Sequence, residues 1–325
     1  MKILIIGTSN GIMKPGYIGS LQKVLPHATI VNLSIGASPS FQFAAHCQDD
    51  LTEYDAIILE GIVNDECNLF RLAGSHEYAS ELLFEIYSTF SHASKLIVMG
   101  LCNKQYVYGE VSDVWKLHRS IATEVGAHFL DCPAFIRDNE HLMKDGPAYR
   151  DEHHPSGEMA HCLGLALAWY VTNKPRNYDV RSFKDNFMTI FADKLPGCPR
   201  SYHKSNSLTS DNFALLEENE TLTLNADGFG IVGLYLDITN TRGFLHVPAP
   251  RKRDIRLFYQ PHNEGFELKF VTVSGGVQAL SLQCCASAKE FEHGVHEKEK
   301  VDGPWLPHLS ISRIACWRGV SRYTA

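Results

Sequence analysis

The first half of the chain alternates short apolar runs with amphipathic stretches. The apolar runs are rich in β-branched residues and lie at 2–7, 29–35, 55–62, 95–101 and 127–132. Such runs are typical of strands buried on both faces, because helices cover both sides of a parallel sheet. The stretches between and after them are compatible with helices at about 17–25, 40–50, 76–92, 112–125 and 156–172. This alternation predicts a three-layer, doubly wound α/β domain over residues 1–175.

The pattern changes after residue 175. Residues 176–215 contain many turn-forming residues, which predicts a linker that could hold one more helix over 180–193. Residues 216–325 show only strand signals, separated by Gly-rich or charged turns, at 219–225, 229–238, 242–247, 254–260, 266–273, 277–284 and 309–317. Short strands at this spacing are typical of a β-sandwich. The expected architecture is therefore an α/β domain followed by a β-sandwich domain.

Composition narrows the classes of function. The 325 residues are 44% hydrophobic and 21% charged, as in an ordinary soluble globular protein, and the net charge is −7 without any long basic run. Because nucleic-acid binding depends on clustered cations, nucleic acid is not an expected partner. No apolar run reaches the length of a transmembrane helix, so no membrane association is expected. The sequence does not specify an oligomeric state.

Nine cysteines are scattered along the chain without any C-x-x-C pair. This distribution favours reduced thiols over a disulfide framework or a zinc site. The apolar run after Lys2 is also too short for the core of a signal peptide. Both observations lead us to expect a cytoplasmic protein.

The first apolar run ends in the pentapeptide GTSNG at 7–11, which places Ser9 at the carboxyl end of the first predicted strand. The pentapeptide matches G-x-S-x-G, the nucleophile elbow of α/β-hydrolases. In that family the elbow follows a strand in the middle of the sheet, whereas here only six residues precede Gly7. Small residues are also common where a backbone approaches a helix or a phosphate. The pentapeptide alone leaves catalysis and simple packing both open.

Three further sequence features with chemical potential lie at the ends of later predicted elements. Gly36 follows the second strand, Asn64 follows the third, and the segment DEHHPS at 151–156 precedes the last helix. The carboxyl ends of parallel strands meet at one edge of the sheet, where ligands of such folds bind. We therefore expect these residues and Ser9 to lie near the same edge.

Serine, glycine, asparagine and D-x-x-H-P-S, in this order on successive αβ units, resemble the SGNH (GDSL-type) hydrolase superfamily over about residues 1–172. The resemblance implies a flavodoxin-like SGNH hydrolase fold and an esterase or acyltransferase activity. It implies that Ser9 is the nucleophile and that His154 and Asp151 complete the catalytic group. It also implies an oxyanion hole formed by Ser9, Gly36 and Asn64, with neither a cofactor nor a metal ion.

Two positions depart from the pattern of that superfamily. Thr8 stands where an aspartate usually precedes the nucleophile. The block around Asn64 reads G-x-x-N-D, whereas the family block reads G-x-N-D. Distortion of this turn by Ile62 or Val63 would misdirect the Asn64 amide.

The residue types fit acyl transfer independently of the family. A serine hydroxyl is a weak nucleophile until a base takes its proton, and histidine can serve as that base near neutral pH. The Asp151 carboxylate or a nearby backbone carbonyl would hold the imidazole in one tautomer. Because His154 must be neutral to act, the sequence predicts an acid limb of activity near the ordinary histidine pKa of about 6.5.

The leading expectation is a serine esterase that hydrolyses an acyl ester, with acetyl as the expected group, through an acyl-serine intermediate. The β domain suggests a carbohydrate-related role by analogy alone, so a small-molecule or glycan ester is the expected substrate. One alternative is an O-acetyltransferase acting on a glycan precursor. Another is a non-catalytic carbohydrate-binding protein on a degenerate SGNH scaffold. A phosphate- or nucleotide-binding domain ranks last, because the chain lacks Walker spacing.

A metal cluster is a further alternative for the segment before the last helix. Its candidate ligands are Asp151, His153, His154, Glu158 and His161. This set lacks the H-E-x-x-H spacing or a comparable helical arrangement of ligands. His153 has the wrong spacing from Asp151 to be the base and is interpreted as a pocket or surface residue.

Overall fold

The computed structural model describes residues 1–176, 180–195, 200–206, 209–224, 228–247, 253–258, 266–277, 281–288, 291–293 and 306–322. The chain divides into two compact units. The first contains Met1–Ser40, Asp49–Leu69 and Ala79–Phe183, and the second contains Phe41–Gln48, Phe70–Tyr78 and Lys184–Ala325. The second unit is therefore discontinuous in sequence, because two short segments from the first half of the chain belong to it.

The first unit is built on a parallel sheet with the strand order β2-β1-β3-β4-β5. Its strands are β1 (Lys2–Ile6), β2 (Thr29–Asn32), β3 (Ala56–Leu59), β4 (Lys95–Met99) and β5 (His128–Leu130). All of β3 and the last four residues of β1 are buried, as expected for strands covered on both faces. This order is that of flavodoxin-like folds, which bind ligands where the order reverses, beside β1 and β3. The predicted doubly wound α/β domain is confirmed.

Within the described residues, α-helices accompany these strands. They are α1 (Tyr17–Val24), α2 (Ile62–Ala73), α3 (His76–Ala93), α4 (Asp113–Glu124), α5 (Cys132–Asn139) and α6 (Gly157–Asn173). A Cβ on Gly164 of α6 would lie 2.5 Å from the backbone oxygen of Tyr17, so glycine allows α6 to approach α1 closely. None of the helices in the described part of the chain is long and apolar enough to cross a bilayer.

Four of these helices, α1, α3, α4 and α6, lie where the sequence pattern predicts them. Helix α5 was not predicted, although Asp131 caps it by accepting the Ala134 N–H at 3.0 Å and Pro133 occupies its first turn. Helix α2 was also missed, because its apolar start continues the run of the preceding strand. The helix expected over 40–50 is a 3-10 helix over Ser40–His46. Its residues are buried on every side, so the segment lacks the polar face that defines an amphipathic α-helix.

The second unit is a largely antiparallel β domain, and its hydrogen bonds link all of its described strands into one sheet. The strands are β6 (Phe187–Phe191), β7 (Ser201–Ser205), β8 (Ser210–Glu217), β9 (Thr221–Thr223), β10 (Gly230–Asp237), β11 (Arg242–Val247), β12 (Arg253–Phe258), β13 (Leu268–Val277), β14 (Ser281–Cys285), β15 (Glu292–His293) and β16 (His308–Trp317). Strand β10 is buried along its whole length and pairs with both β13 and β16. Aliphatic side chains such as Leu234, Leu245 and Ile311 form the core. The predicted all-β domain after the α/β domain is confirmed.

The helix expected over 180–193 is wrong. In the described segment 180–195 the chain forms β6, flanked by 3-10 turns at Lys184–Asn186 and Ala192–Lys194. Strand β6 pairs with β16, which places Phe187 opposite Trp317 and Ile190 opposite Ile314. Strands β7 and β8 also lie largely within the predicted linker and join the same sheet. The local pattern could not show these strands, because strand formation depends on partners that are distant in sequence.

Candidate active site

Ser9 lies on a tight turn directly after β1. The turn is a 3-10 helix over Ser9–Gly11, closed by a 3.0 Å hydrogen bond from the Gly11 N–H to the Thr8 carbonyl. A Cβ on Gly11 would lie 2.3 Å from Ser34 Oγ, so glycine is needed for the close approach to the chain after β2. The Ser9 side chain is thereby placed, half-buried, at the carboxyl edge of the sheet.

The structure brings Ser9, His154 and Asp151 into one hydrogen-bonded chain. Ser9 Oγ lies 2.9 Å from His154 Nε2. The other ring nitrogen, His154 Nδ1, lies 2.8 Å from Asp151 Oδ1 and 2.9 Å from its Oδ2. A carboxylate only accepts, so Nδ1 carries the hydrogen and Nε2 of the neutral ring faces the serine hydroxyl as an acceptor. The order hydroxyl, imidazole, carboxylate is the one that activates a serine nucleophile.

Asp151 also shapes the loop that carries His154. Its Oδ1 accepts the backbone N–H groups of both His153 and His154, each at 2.9 Å. The Arg150 N–H donates to the His154 carbonyl at 3.0 Å, which closes the loop. Ser156 then caps α6 through its side chain. The D-x-x-H-P-S segment is therefore a preorganised loop that leads directly into a helix.

The surroundings of His154 favour its neutral form. Burial lowers the pKa of His154 below its ordinary value of 6.5, the Asp151 hydrogen bond and charge oppose this, and Arg150 and His153 add to the lowering. For Asp151, burial acts to raise the pKa, but hydrogen bonds from the His153 and His154 backbone and from the His154 ring bring it below its ordinary value. The pair at neutral pH is thus a neutral imidazole beside a carboxylate. The residue type alone gives a pKa of about 6.5, and the surroundings of His154 lower this pKa.

Gly36 lies beside the turn that carries Ser9 because the chain after β2 continues along β1. The Leu33 N–H donates to the Ile5 carbonyl at 2.8 Å, and the Ile35 N–H donates to the Gly7 carbonyl at 3.0 Å. Apart from its own chain neighbours, the nearest described heavy atom to a Cβ placed on Gly36 would be Ile12 Cδ1, at 4.0 Å. Open space therefore borders the Gly36 backbone next to the turn that carries Ser9.

Asn64 lies in the first turn of α2, at the carboxyl end of β3. The Asn64 N–H donates to the Gly61 carbonyl at 3.1 Å, so the extra residue of G-x-x-N-D is accommodated by the start of a regular helix. The Asn64 side-chain amide donates to the Ser38 carbonyl at 3.0 Å. An amide has two N–H groups, and this bond uses one of them.

Asp65, which follows Asn64, fixes the same loop from the interior. Its Oδ1 accepts the Ser40 N–H at 2.9 Å. Its Oδ2 lies 2.9 Å from His118 Nε2, and His118 Nδ1 lies 2.7 Å from the Tyr87 hydroxyl. The Asp65 and His118 side chains are fully buried. Asn64 and Asp65 together tie the 36–40 loop to α2, which holds the Gly36 backbone and the Asn64 amide in a fixed relation.

Glu60 holds Thr8, the residue before Ser9, in place. The Thr8 N–H donates to Glu60 Oε2 at 2.9 Å, and the Thr8 hydroxyl donates to the same oxygen at 2.8 Å. Burial raises the pKa of Glu60, and hydrogen bonds from Thr8 and Asn10 oppose this rise. Residue 60 continues β3, whose Leu59 pairs with Ile6 of β1, so the carboxylate comes from the neighbouring strand. Glu60 was not predicted; its only signal in the sequence is a carboxylate at the end of a fully apolar strand.

The alternative metal cluster does not assemble. Asp151 and His154 bond each other, the His161 ring bonds Ser20 Oγ at 2.9 Å, and Glu158 Oε2 accepts two backbone N–H groups. Among the described residues, no group of three or more His, Cys, Asp and Glu side chains is arranged to hold a metal ion.

Comparison with known proteins was made for the sequence and for the fold. No protein-family model matches the chain, and no curated protein matches it either. Among solved structures, the chain is similar to a two-domain esterase, CEX, active on acetylated mannans, at 14% identity and a TM-score of 0.58 over 98% of this chain and 91% of that one. It is also similar to Axe2, an acetylxylan esterase from Geobacillus stearothermophilus, at 21% identity and a TM-score of 0.41 over 56% and 96% of the two chains. A member of the lipolytic G-D-S-L family from Veillonella parvula matches at 14% identity and a TM-score of 0.42 over 54% and 100%.

The first of these similarities covers both units of the chain. At this level of identity a structural likeness defines the fold and not the activity. The α/β unit followed by a β unit is thus a fold that this chain shares with a solved two-domain esterase.

Proposed function

We propose that the protein is a serine esterase of the SGNH type that hydrolyses acetyl esters of carbohydrates through an acyl-serine intermediate. The observation that carries this proposal is the chain of short contacts from Ser9 Oγ to His154 Nε2 and from His154 Nδ1 to Asp151. The order of Ser9, Gly36, Asn64 and D-x-x-H along the chain supports the SGNH assignment. The fold shared with a two-domain esterase is consistent with it.

In the first half of the reaction, His154 Nε2 accepts the Ser9 proton while Oγ attacks the ester carbonyl carbon. A bond forms between Oγ and this carbon, and the carbonyl electron pair becomes a negative charge on oxygen. When this tetrahedral intermediate collapses, the C–O bond to the sugar breaks and the imidazolium returns its proton to the leaving sugar oxygen. The Asp151 carboxylate stabilises the imidazolium in between without taking the proton.

In the second half, water hydrolyses the acetyl-serine. His154 takes a proton from the water as its oxygen bonds the acyl carbon. The bond between this carbon and Ser9 Oγ then breaks, His154 returns the proton to Oγ, and acetic acid leaves and ionises to acetate. The negative charge of each tetrahedral intermediate needs fixed donors. The backbone N–H groups of Ser9 and Gly36 and the second N–H of the Asn64 amide would supply them. Loss of one such donor typically costs about 3 kcal/mol of transition-state stabilisation.

The choice of an acetylated carbohydrate rests on the structural neighbour that covers both units. That protein is described as active on acetylated mannans. We favour water as the acyl acceptor, and the test below separates hydrolysis from transfer to a sugar.

The experiment compares the wild-type chain with Ser9→Ala on p-nitrophenyl acetate and on acetylated manno-oligosaccharides. We expect release of free acetate from both, and a fall in kcat of at least 10³-fold in the variant, because the nucleophile is removed. Ser120→Ala is the matched control, since Ser120 is exposed on α4. Equal rates for wild type and Ser9→Ala would contradict the proposal. Accumulation of newly acetylated sugar instead of acetate, detected by mass spectrometry, would assign transfer instead of hydrolysis.

A further inference from the structure

His153, the neighbour of the proposed base, is held in a defined position at the edge of the site. Its ring centroid lies 6.2 Å from that of His154, with the two rings nearly perpendicular at 88°. Its backbone N–H donates to Asp151, and its carbonyl accepts from the Asn10 side chain at 3.4 Å. The residue is nevertheless exposed. Hydrogen bonds of its backbone N–H and carbonyl thus hold the exposed His153 ring beside the His154 ring.

The buried side chain of Asn103, on the loop after β4, holds the His153 ring. Asn103 Nδ2 donates to the Val63 carbonyl at 3.2 Å. A carbonyl oxygen only accepts, so the NH₂ end of the amide must face Val63, and Oδ1 must face the other way. Asn103 Oδ1 lies 2.6 Å from His153 Nδ1.

This contact fixes the tautomer of His153. Because Asn103 Oδ1 is an acceptor, His153 Nδ1 carries the hydrogen of this bond. In the neutral ring the lone pair is then on Nε2, which acts as an acceptor. His153 Nδ1 thus bonds Asn103 within the protein, whereas His153 Nε2 has no hydrogen-bond partner among the described residues.

Asn103 is itself fixed by a second carboxylate. Its backbone N–H donates to Glu66 Oε2 at 2.6 Å, and Glu66 Oε1 accepts from the Ser112 hydroxyl, also at 2.6 Å. Glu66 lies on α2, one helical stretch with Asn64, and Ser112 caps α4. Glu66 therefore holds the backbone of Asn103, and the Asn103 side chain in turn orients the His153 ring.

We propose that His153 positions the substrate by accepting, through Nε2, a hydrogen bond from a free hydroxyl of the sugar that carries the ester. An acceptor nitrogen at a fixed position can bond the O–H groups in which a sugar is rich. The His153 ring centroid lies 6.2 Å from that of His154, so a substrate bound at Ser9 and His154 would pass close to it. This inference rests on the proposed esterase function and adds a preference to it: partially acetylated sugars with free hydroxyls over fully substituted ones.

Two substitutions test the roles of the two ring nitrogens of His153 separately. His153→Asn keeps a donor near the Nδ1 position that can still bond Asn103, but it has no acceptor at the Nε2 position. His153→Gln places an amide oxygen near the Nε2 position and loses the bond to Asn103. The substrates are a methyl mannoside with one acetyl ester and free hydroxyls, and the same monoacetate with those hydroxyls methylated.

We expect wild-type kcat/KM to be about five- to tenfold higher on the free sugar than on the methylated one, the usual effect of one hydrogen bond. His153→Asn should bring this ratio close to one, mainly through KM, while His153→Gln should retain a larger part of it. A purely structural role would lower the rates on both substrates by the same factor and leave the ratio unchanged. That result, or a wild-type ratio of one, would overturn the role of His153.

Failure of the proposed function has a different signature in the same experiment. Wild-type turnover of p-nitrophenyl acetate that depends on Ser9, without turnover of either mannoside, would contradict the carbohydrate substrate and this inference with it. Turnover of both mannosides with an unchanged ratio in both variants would contradict only the role of His153.

Discussion

At the level of single residues, burial and a neighbouring carboxylate act on His154 in opposite directions. Burial lowers its pKa, and the hydrogen bond and charge of Asp151 raise it, with a net lowering from 6.5. A base with a lowered pKa stays neutral further into the acid range, so activity is expected to persist below pH 6.5. The residue type alone gives an acid limb near 6.5, because sequence shows the histidine but not how deeply it is buried.

Replacing Asp151 with asparagine tests this balance. Asp151→Asn keeps an oxygen for the backbone N–H groups of His153 and His154 but removes the charge that raises the pKa of His154. We expect the acid limb of kcat/KM to move to lower pH, and the plateau to fall by about 10² to 10⁴, because the imidazolium loses its stabilising carboxylate. The pH profile of p-nitrophenyl acetate hydrolysis measures both effects.

Arg150 provides the matched control, because its charge acts on His154 in the opposite sense. Arg150 contributes to the lowering of the His154 pKa, so Arg150→Gln should move the acid limb to higher pH while the plateau stays close to that of wild type. An acid limb of kcat/KM at pH 6.5 or above in the wild-type protein would contradict the electrostatic account of His154. So would acid limbs of Asp151→Asn and Arg150→Gln that both move in the same direction.

The site residues that sequence could predict are those with a fixed local spacing. Ser9 follows the first strand directly, and Asp151 and His154 share one short loop, so each can be found without knowing the fold. Glu60 could not be found in this way. Its role depends on the register between β3 and β1, which brings a carboxylate to the Thr8 hydroxyl from a neighbouring strand. Thr8, beside Ser9, is therefore held by a residue 52 positions away.

At the level of elements, the parallel strands were predicted well because each is buried on both faces and reads as an apolar run. Helix α5 was missed even though Asp131 and Pro133 mark its start, since the helix follows β5 without an intervening polar stretch. Strands β6 and β8 were missed for another reason. Both pair with β16, more than 90 residues later in the chain, and local pattern does not carry that information.

Glu66, which lies on α2 and bonds the cap of α4, makes the stability of the fold depend on pH. It bonds Asn103 and Ser112, and burial raises its pKa from 4.5 to about 7 despite these bonds. A carboxyl whose pKa is higher in the folded state stabilises the fold fully below pH 4.5, and this contribution is lost as pH rises towards 7. Because glutamine does not titrate, wild type should lose up to roughly 3 kcal/mol of stability relative to Glu66→Gln over this range.

Urea unfolding of both proteins at a series of pH values measures this difference. Glu110→Gln is the control, since Glu110 is exposed and pairs only with Lys116 at the surface of α4 among the contacts described. Its stability relative to wild type should stay nearly constant over the same pH range. A difference between wild type and Glu66→Gln that does not change with pH would show that Glu66 titrates in the folded protein as it does in water.

At the level of the whole molecule, the boundary between the two units is not a single point in the sequence. Phe41 contacts Tyr78 with ring centroids 5.9 Å apart, and Tyr78 contacts Trp317 of β16 at 5.4 Å. All three side chains are buried. The second unit therefore takes part of its core from segments that lie between strands of the first. The first segment directly follows the 36–40 loop, which carries Gly36, and the second begins in the last turn of α2, whose first turn carries Asn64.

This connectivity predicts that a chain ending at 183 will not retain activity. Phe41–Gln48 and Phe70–Tyr78 would lose the partners that bury their apolar side chains, and the exposed surface favours aggregation. We expect the truncated chain to be insoluble or to unfold without cooperativity. Full-length Trp317→Ala should still fold but lose about 3–5 kcal/mol of stability, because it leaves a cavity against Tyr78 while the other β16 contacts persist. A truncated chain that unfolds cooperatively and hydrolyses p-nitrophenyl acetate at the wild-type rate would show that the α/β unit, with Gly36 and Asn64 in place, is independent of the β domain.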